Sequence, residues 1–228
     1  MAYGEYENYF IKEEEVLLLL AGVGVKQWYG FTSGDRRQRT DAVSKEDVYR
    51  ILGALYRKGY IEWEEESVRL LEPVSSLVEI IRQAHYCIKI ESKQEESFIK
   101  GCYYANNHVL LLETSKLESR MLKFSLWKEK DFLAYLWGTG IFPEEELILE
   151  EDDGEEVSVQ EKTRPVSEQR GIVTLYDMKT GIEESKMIVE EEGIFPYVVL
   201  RTGLTENRRP YCHKDCEHVL MDWLHREG

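Results

Sequence analysis

The sequence predicts an α+β fold: an N-terminal winged-helix-like segment followed by a mainly antiparallel sheet flanked by helices. Three observations predict it. Residues 44–71, SKEDVYRILGALYRKGYIEWEEESVRLL, read as a capped helix, a glycine stop and a tight hairpin. From residue 86 onward, four successive runs (YCIKIES, SFIKGCYYA, HVLLLETS, MLKFSLWK) carry the alternating or short apolar pattern of strands. The C-terminal third resumes with GIVTLYDM, IEESKMIVEEE and FPYVVLRTG, the pattern of an antiparallel meander. Strands grouped in blocks and flanked by helices make an α+β architecture.

The elements follow in chain order. KEEEVLLLLAG, residues 12–22, predicts a helix. Its Glu13–Glu15 suit the positive end of the dipole, and Gly22 can stop it. The Gly22-Val23-Gly24 step follows a helix and has no third glycine, so it is not a dinucleotide fingerprint. FTSGDRRQRTDA is a polar loop with Arg36, Arg37 and Arg39 as a dense basic cluster, read as a solvated surface.

Ser44 is an N-cap for a helix whose Val48, Ile51, Leu52 and Leu55 form one apolar face. Gly59 suits the left-handed residue after it. Ile61 and Trp63, then Val68 and Leu70, alternate as two strands around Glu64, Glu65 and Glu66. Pro73 opens a helix with Leu77, Ile80, Ile81 and Ala84 inward. Asn106-Asn107 is a hairpin turn between two strands. KEKDFLAYLWGTG is a helix burying Phe132, Leu133, Leu136 and Trp137 and ending at Gly138. The acidic stretch that follows suits a short strand and a loop, and Lys179-Thr180-Gly181 is a turn. YCHKDCEHVLMDWLHREG closes the chain as an amphipathic helix. Composition and pattern change near residue 85, so residues 1–85 form the helical part and 86–228 the sheet with its helices. No internal repeat is visible.

Composition bounds function. The chain has 228 residues, 43% hydrophobic, with a formal net charge of −15. That is enough to bury a real core. The acid excess argues against nucleic acid, whose binding depends on cations that neutralise phosphates, and against an anionic membrane surface. The acidic, aromatic start MAYGEYENYFIKEEE is unlike a signal peptide, and Val16–Ala21 is too short to span a bilayer. The expectation is a cytoplasmic protein with Cys87, Cys102, Cys212 and Cys216 reduced.

Candidate chemistry is sparse. Cys212, His213, Cys216 and His218 have zinc-ligand chemistry. On one helix, however, Cys216 and His218 point about 200° apart, so four ligands cannot converge, and His108 would have to join from elsewhere. Cys212 and Cys216 continue an apolar stripe through Val219 and Trp223. His85, between an apolar helix and a strand, reads as a satisfied buried or boundary group rather than a base. Glu144–Glu146, Glu150–Asp153 and Glu190–Glu192 lack calcium-loop spacing and read as solvated faces. No nucleophile elbow, phosphate loop or metalloprotease helix occurs. The expectation is therefore no catalytic, cofactor or metal residue. A DNA-reading helix would present Lys45, Glu46, Tyr49, Arg50 and Arg57, but the acidic hairpin tip opposes phosphate.

The order of these elements resembles the EspG-type chaperones of mycobacterial type VII secretion. The likeness is carried by LYRKGYIEWEEESVRLLEPVSSLVEIIRQA, followed by strands, a helix, a further meander and a C-terminal helix. It covers residues 10–226 as a layout, and no binding residue transfers. It implies a cytosolic, non-enzymatic adaptor that holds a helical secreted protein. The alternative is a winged-helix transcription regulator with an appended sensor domain.

Overall fold

The computed structural model describes residues 8–25, 27–28, 38–39, 44–65, 67–93, 99–105, 108–114, 120–143, 168–193 and 195–226. Asn106-Asn107, Glu66, Arg36, Arg37 and the acidic stretches at 144–153 lie outside these residues.

The chain opens with β1 (Asn8–Lys12), which runs directly into α1 (Glu13–Gly22). The Lys12 backbone N–H donates to Glu15 Oε2 at 2.8 Å, which closes the helix start. β2 (Gln27–Trp28) and β3 (Gln38–Arg39) form a short antiparallel pair. α2 (Lys45–Arg57) begins as predicted at Ser44, whose Oγ accepts the Asp47 N–H at 3.2 Å. Gly59 has φ +71° and turns the chain into β4 (Ile61–Trp63), which pairs with β5 (Val68–Leu70). α3 (Val74–Gln83) follows. The buried side of α2 is carried by Ile51 and Leu55, while Val48 and Leu52 are only half-buried. Glu15, fully buried, ties α1 to the end of α2 through Lys58 Nζ at 2.6 Å.

The strands after residue 85 are β6 (Tyr86–Ser92), β7 (Ile99–Ala105), β8 (His108–Thr114) and β9 (Met121–Trp127), followed by α4 (Glu129–Trp137). Then come β10 (Glu168–Asp177), β11 (Glu183–Glu192), β12 (Phe195–Thr202) and β13 (Thr205–Pro210), followed by α5 (His213–Leu224). Together with β1 they form one nine-stranded sheet in the order β1-β9-β8-β7-β6-β10-β11-β12-β13. Every neighbouring pair is antiparallel. The fold class is α+β, as the sequence predicts.

Two strands of the sheet escape the sequence reading: β1, in a segment read only as an acidic, aromatic start unlike a signal peptide, and β13, which is exposed along nearly its whole length. The topology also contains a repeat that the residues do not display. Each half of the sheet is a four-stranded meander that ends in a helix. The two halves meet at their first strands, β6 and β10.

Strand alternation sends side chains to two faces. On one, α1, α2 and α3 cover Cys87, Tyr103, Leu110, Leu112, Leu122 and Phe124. This core joins residues from both sides of position 85. Within it the Trp28 Nε1–H donates to Tyr103 Oη at 2.8 Å. On the other face, α4 and α5 cover Ile88, Ile90, Val109, Leu111, Val173 and Val189.

Candidate functional site

Two places present organised side chains to solvent. The first is the outer face of α2. Tyr49 and Tyr56 lie two turns apart on one helical face and are 76% and 54% exposed. Gly53 lies between them and leaves a notch, since a side chain there would meet only Arg57 Nη1 at 3.6 Å. Trp63, on β4, is also half-exposed. Two arginines around this surface, Arg50 and Arg69, are committed to carboxylates. Arg50 donates to Glu14 Oε1 and Oε2 at 2.9 and 2.8 Å and also to Asp47. The Arg50 hydrogen bond holds the Glu14 carboxyl below its ordinary range. Arg69 pairs with Glu62, and with Glu64 at 3.2 Å. Glu64 and Glu65 at the hairpin tip are exposed. Arg50, one of the cations that a DNA-reading helix would present, is thus already engaged by two carboxylates.

The second place lies under the end of α5. The tyrosines and smaller residues of β6 and β7 that share one face (Tyr86, Ile88, Cys102, Tyr104) form one side of a cavity of about 640 Å³. Trp223 and Leu224 form the other, with His85, His225 and Arg226 at the rim. His225 Nε2 is 2.6 Å from Glu129 Oε2, so the end of α5 is tied to the start of α4. Tyr104 stands edge-on to His225 with ring centroids 5.2 Å apart. Burial, and then the Glu129 carboxylate to which it donates, push the Tyr104 hydroxyl above its ordinary pKa. Arg226 lies over the Tyr86 ring, 5.1 Å from its centroid, and pairs with Glu184 at 2.7 Å.

The opposite end of the helix pair, where α4 stops and α5 starts, is packed with aromatic and aliphatic side chains. There Trp137 meets Phe142 edge-on at 4.1 Å and lies 4.4 Å from His213. Ile141 and Phe142, just beyond α4, are buried to within 1–2% of full coverage. Ile141 reaches the backbone of β10 because Gly171 stands there. A Cβ on Gly171 would come within 2.8 Å of Ile141 Cγ2 and 2.9 Å of the Glu91 carbonyl oxygen.

The residues singled out for zinc chemistry scatter. Cys212 is the N-cap of α5 rather than part of its first turn, and Cys216 is buried. His213 stacks on Trp137, and His218 points outward 3.7 Å from Asp222. His108 is exposed at the start of β8. Among the described residues no group of three or more His, Cys, Asp or Glu side chains is arranged to hold a metal ion. Burial pushes the Cys87 and Cys216 thiols up to about 12. His85 is an exposed residue between α3 and β6, so of the two expected placements, buried or boundary, it takes the boundary one, and it belongs to the cavity rim.

Sequence reasoning missed Tyr86, Tyr104, Glu129, His225 and Arg226 as a group. No spacing reveals them, because Glu129 opens α4, His225 follows the end of α5, and the tyrosines lie in neighbouring strands. The one available signal is the aromatic pair Tyr103-Tyr104, whose alternate residue must face away from the first core. No family model and no curated protein matches the chain. Among the described residues no helix is long and apolar enough to cross a membrane.

Proposed function

We propose that the chain is a non-enzymatic, cytoplasmic protein-binding adaptor of EspG-like type, and that it holds a helical secreted protein on the outer face of α2. The observation that carries this reading is the pair Tyr49 and Tyr56, exposed on either side of Gly53. Two aromatic knobs around a glycine notch suit a helix laid across them, since side chains of a partner helix seat between such knobs. The acidic hairpin tip and the formal charge of −15 favour a partner with a basic flank. The winged-helix regulator has one feature in its favour, the order of α2, the β4–β5 hairpin and α3. Against it stand the engaged Arg50 and the exposed Glu64 and Glu65, which repel phosphate over a Debye length of about 8 Å.

The test is a photo-cross-linking residue placed at Tyr49 or Tyr56 in the native cell, with Leu204 at the tip of the β12–β13 hairpin as the exposed control. Cross-linking of one small helical secreted protein from α2 but not from Leu204 is the expected outcome. Equal capture at both places, or none at α2, overturns the adaptor. Titration of random duplex DNA is the companion measurement. Binding tighter than about 10⁻⁶ M with a steep salt slope, beyond ordinary non-specific affinity, would restore the regulator.

A further inference from the structure

The cavity under α5 is the counterpart of a place that the chain fills for itself. The two halves of the sheet share one topology, and α4 and α5 lie side by side with opposed ends in contact: Glu129 meets His225, and Trp137 meets His213. Ile141 and Phe142 stand as far beyond the start of α4 as His225 and Arg226 stand beyond the start of α5. At the α4 end that position carries an adjacent aliphatic–aromatic pair, and the pair is buried. At the α5 end it carries two polar residues, which stay at the rim and leave about 640 Å³ open. The floor beneath them is apolar and aromatic: the buried Ile88 and Trp223 and the half-buried Tyr86 and Tyr104. That volume is within the usual span of ligand sites, about 300–1,000 Å³, and exceeds what one side chain fills.

The charges at the rim restrict the occupant further. Two of the rim side chains already face a carboxylate, the Arg226 guanidinium facing Glu184 and the His225 ring facing Glu129. An anion would have to compete with those carboxylates in the field of a chain of formal charge −15. A cation meets the reverse situation. Arg226 itself demonstrates the favourable seat, stacked on Tyr86 and bonded to Glu184. It lies beyond the last helical residue, Leu224, so it can leave that seat without unwinding α5.

We infer that this cavity receives a segment of another polypeptide that inserts an aliphatic–aromatic residue pair next to an arginine. The pair occupies the space that Ile141 and Phe142 fill at the other end, and the arginine takes the place of Arg226 on Tyr86 and Glu184. This site is separate from the α2 face and does not depend on the adaptor reading.

The probe is the blocked tripeptide acetyl-Ile-Phe-Arg-amide, titrated into the full chain to about 1 mM, the scale of a weak single-site contact. Trp223 in the cavity wall reports by fluorescence, and calorimetry reports independently. Saturable one-to-one binding is expected. Acetyl-Gly-Gly-Arg-amide should bind at least tenfold more weakly, and the neutral citrulline analogue of the first peptide several-fold more weakly. Arg226→Ala should tighten binding several-fold by removing the resident competitor, and Glu184→Gln should weaken it. Trp223→Phe should abolish the fluorescence response while calorimetric binding persists. The paired change Tyr49→Ala with Tyr56→Ala should leave the tripeptide affinity unchanged, which separates this site from the α2 face. No binding at 1 mM, equal binding of the Gly-Gly peptide, or indifference to both Glu184→Gln and the citrulline substitution overturns the inference. Tighter binding of free indole than of the tripeptide would also overturn it, by marking a small-molecule site.

Discussion

The two ends of the α4–α5 layer belong to halves of one strand topology and have opposite outcomes. At the end where α4 stops, Ile141 and Phe142 fold back beneath the helices, and Gly171 gives Ile141 room to touch the sheet. At the end where α5 stops, His225 and Arg226 remain at the surface, bound to Glu129 and Glu184, with Tyr86 and Tyr104 beneath them. Topology sets how much space lies under a helix end. The residue pair that follows each helix, Ile141 and Phe142 after a short turn in one case and His225 and Arg226 at once in the other, decides whether that space becomes core or cavity. Burying an apolar pair removes area from water at about 25 cal/mol per Å², whereas burying a histidine and an arginine would cost desolvation that their carboxylates offset only at the rim.

The largest test of this contrast exchanges nothing and truncates both ends. Phe142→Ala should cost about 3–5 kcal/mol, the usual range for a fully buried phenylalanine. Arg226→Ala, at the equivalent position of the open end, should stay within about 0.5 kcal/mol, as for other surface changes. Denaturant midpoints of the two variants measured side by side check this, and equal shifts would erase the distinction between the ends.

Gly171→Ala should cost about 1–3 kcal/mol, because overpacking forces Ile141 or the β6 backbone to move. Pairing it with Ile141→Ala, which removes both γ carbons that the new Cβ would meet, should cost less than the two single changes summed. Thermal melts of the single and double variants would expose a wrong assignment if the two losses simply added.

The buried thiols sharpen the contrast in a different variable. Cys87, under the first helical layer, and Cys216, under α5, are both held protonated by burial up to about 12. A thiol that keeps its proton in the folded chain, but loses it near 9.0 once unfolded, favours folding only at lower pH. Stability should therefore fall as pH rises above about 9, where the unfolded chain begins to bind fewer protons than the folded one. Urea midpoints between pH 7 and 10 would show it, and Cys216→Ala should flatten the slope. In the native chain a thiol reagent should reach Cys212 first, since the other three thiols are buried.

The smallest effect concerns the closure of the open end. His225→Ala removes a half-exposed pairing with Glu129 and should cost no more than about 1 kcal/mol. A larger loss would mean that this contact, rather than the buried stripe through Cys216, Leu220 and Trp223, holds α5 in place.

Legibility in the sequence followed locality. α2 was readable because Ser44, the Ile51–Leu55 spacing and Gly59 act within a few residues of one another. Leu52 shows the limit of that reading, since periodicity gave the side of the helix but not its rotation against α1, and Leu52 is only half-buried. β13 was not readable because an edge strand buries little, and TENRRP has no apolar face to betray it. The cavity group was not readable at all, because Tyr86, Tyr104, Glu129 and Arg226 converge only once two helices have been laid across two neighbouring strands.

The sequence by itself determined the fold class, the caps and turns, the apolar stripes of the helices and the acidic field of the whole chain. Each of these depends on local sterics, local hydrogen bonds or summed charge. Tertiary structure alone decided that β1 joins β9, that β6 pairs with β10, that Arg50 is spent on Glu14, and that one end of the α4–α5 layer is filled and the other open. Those outcomes depend on which surfaces meet across long stretches of chain, and packing of that kind has no signature in the spacing of residues along it.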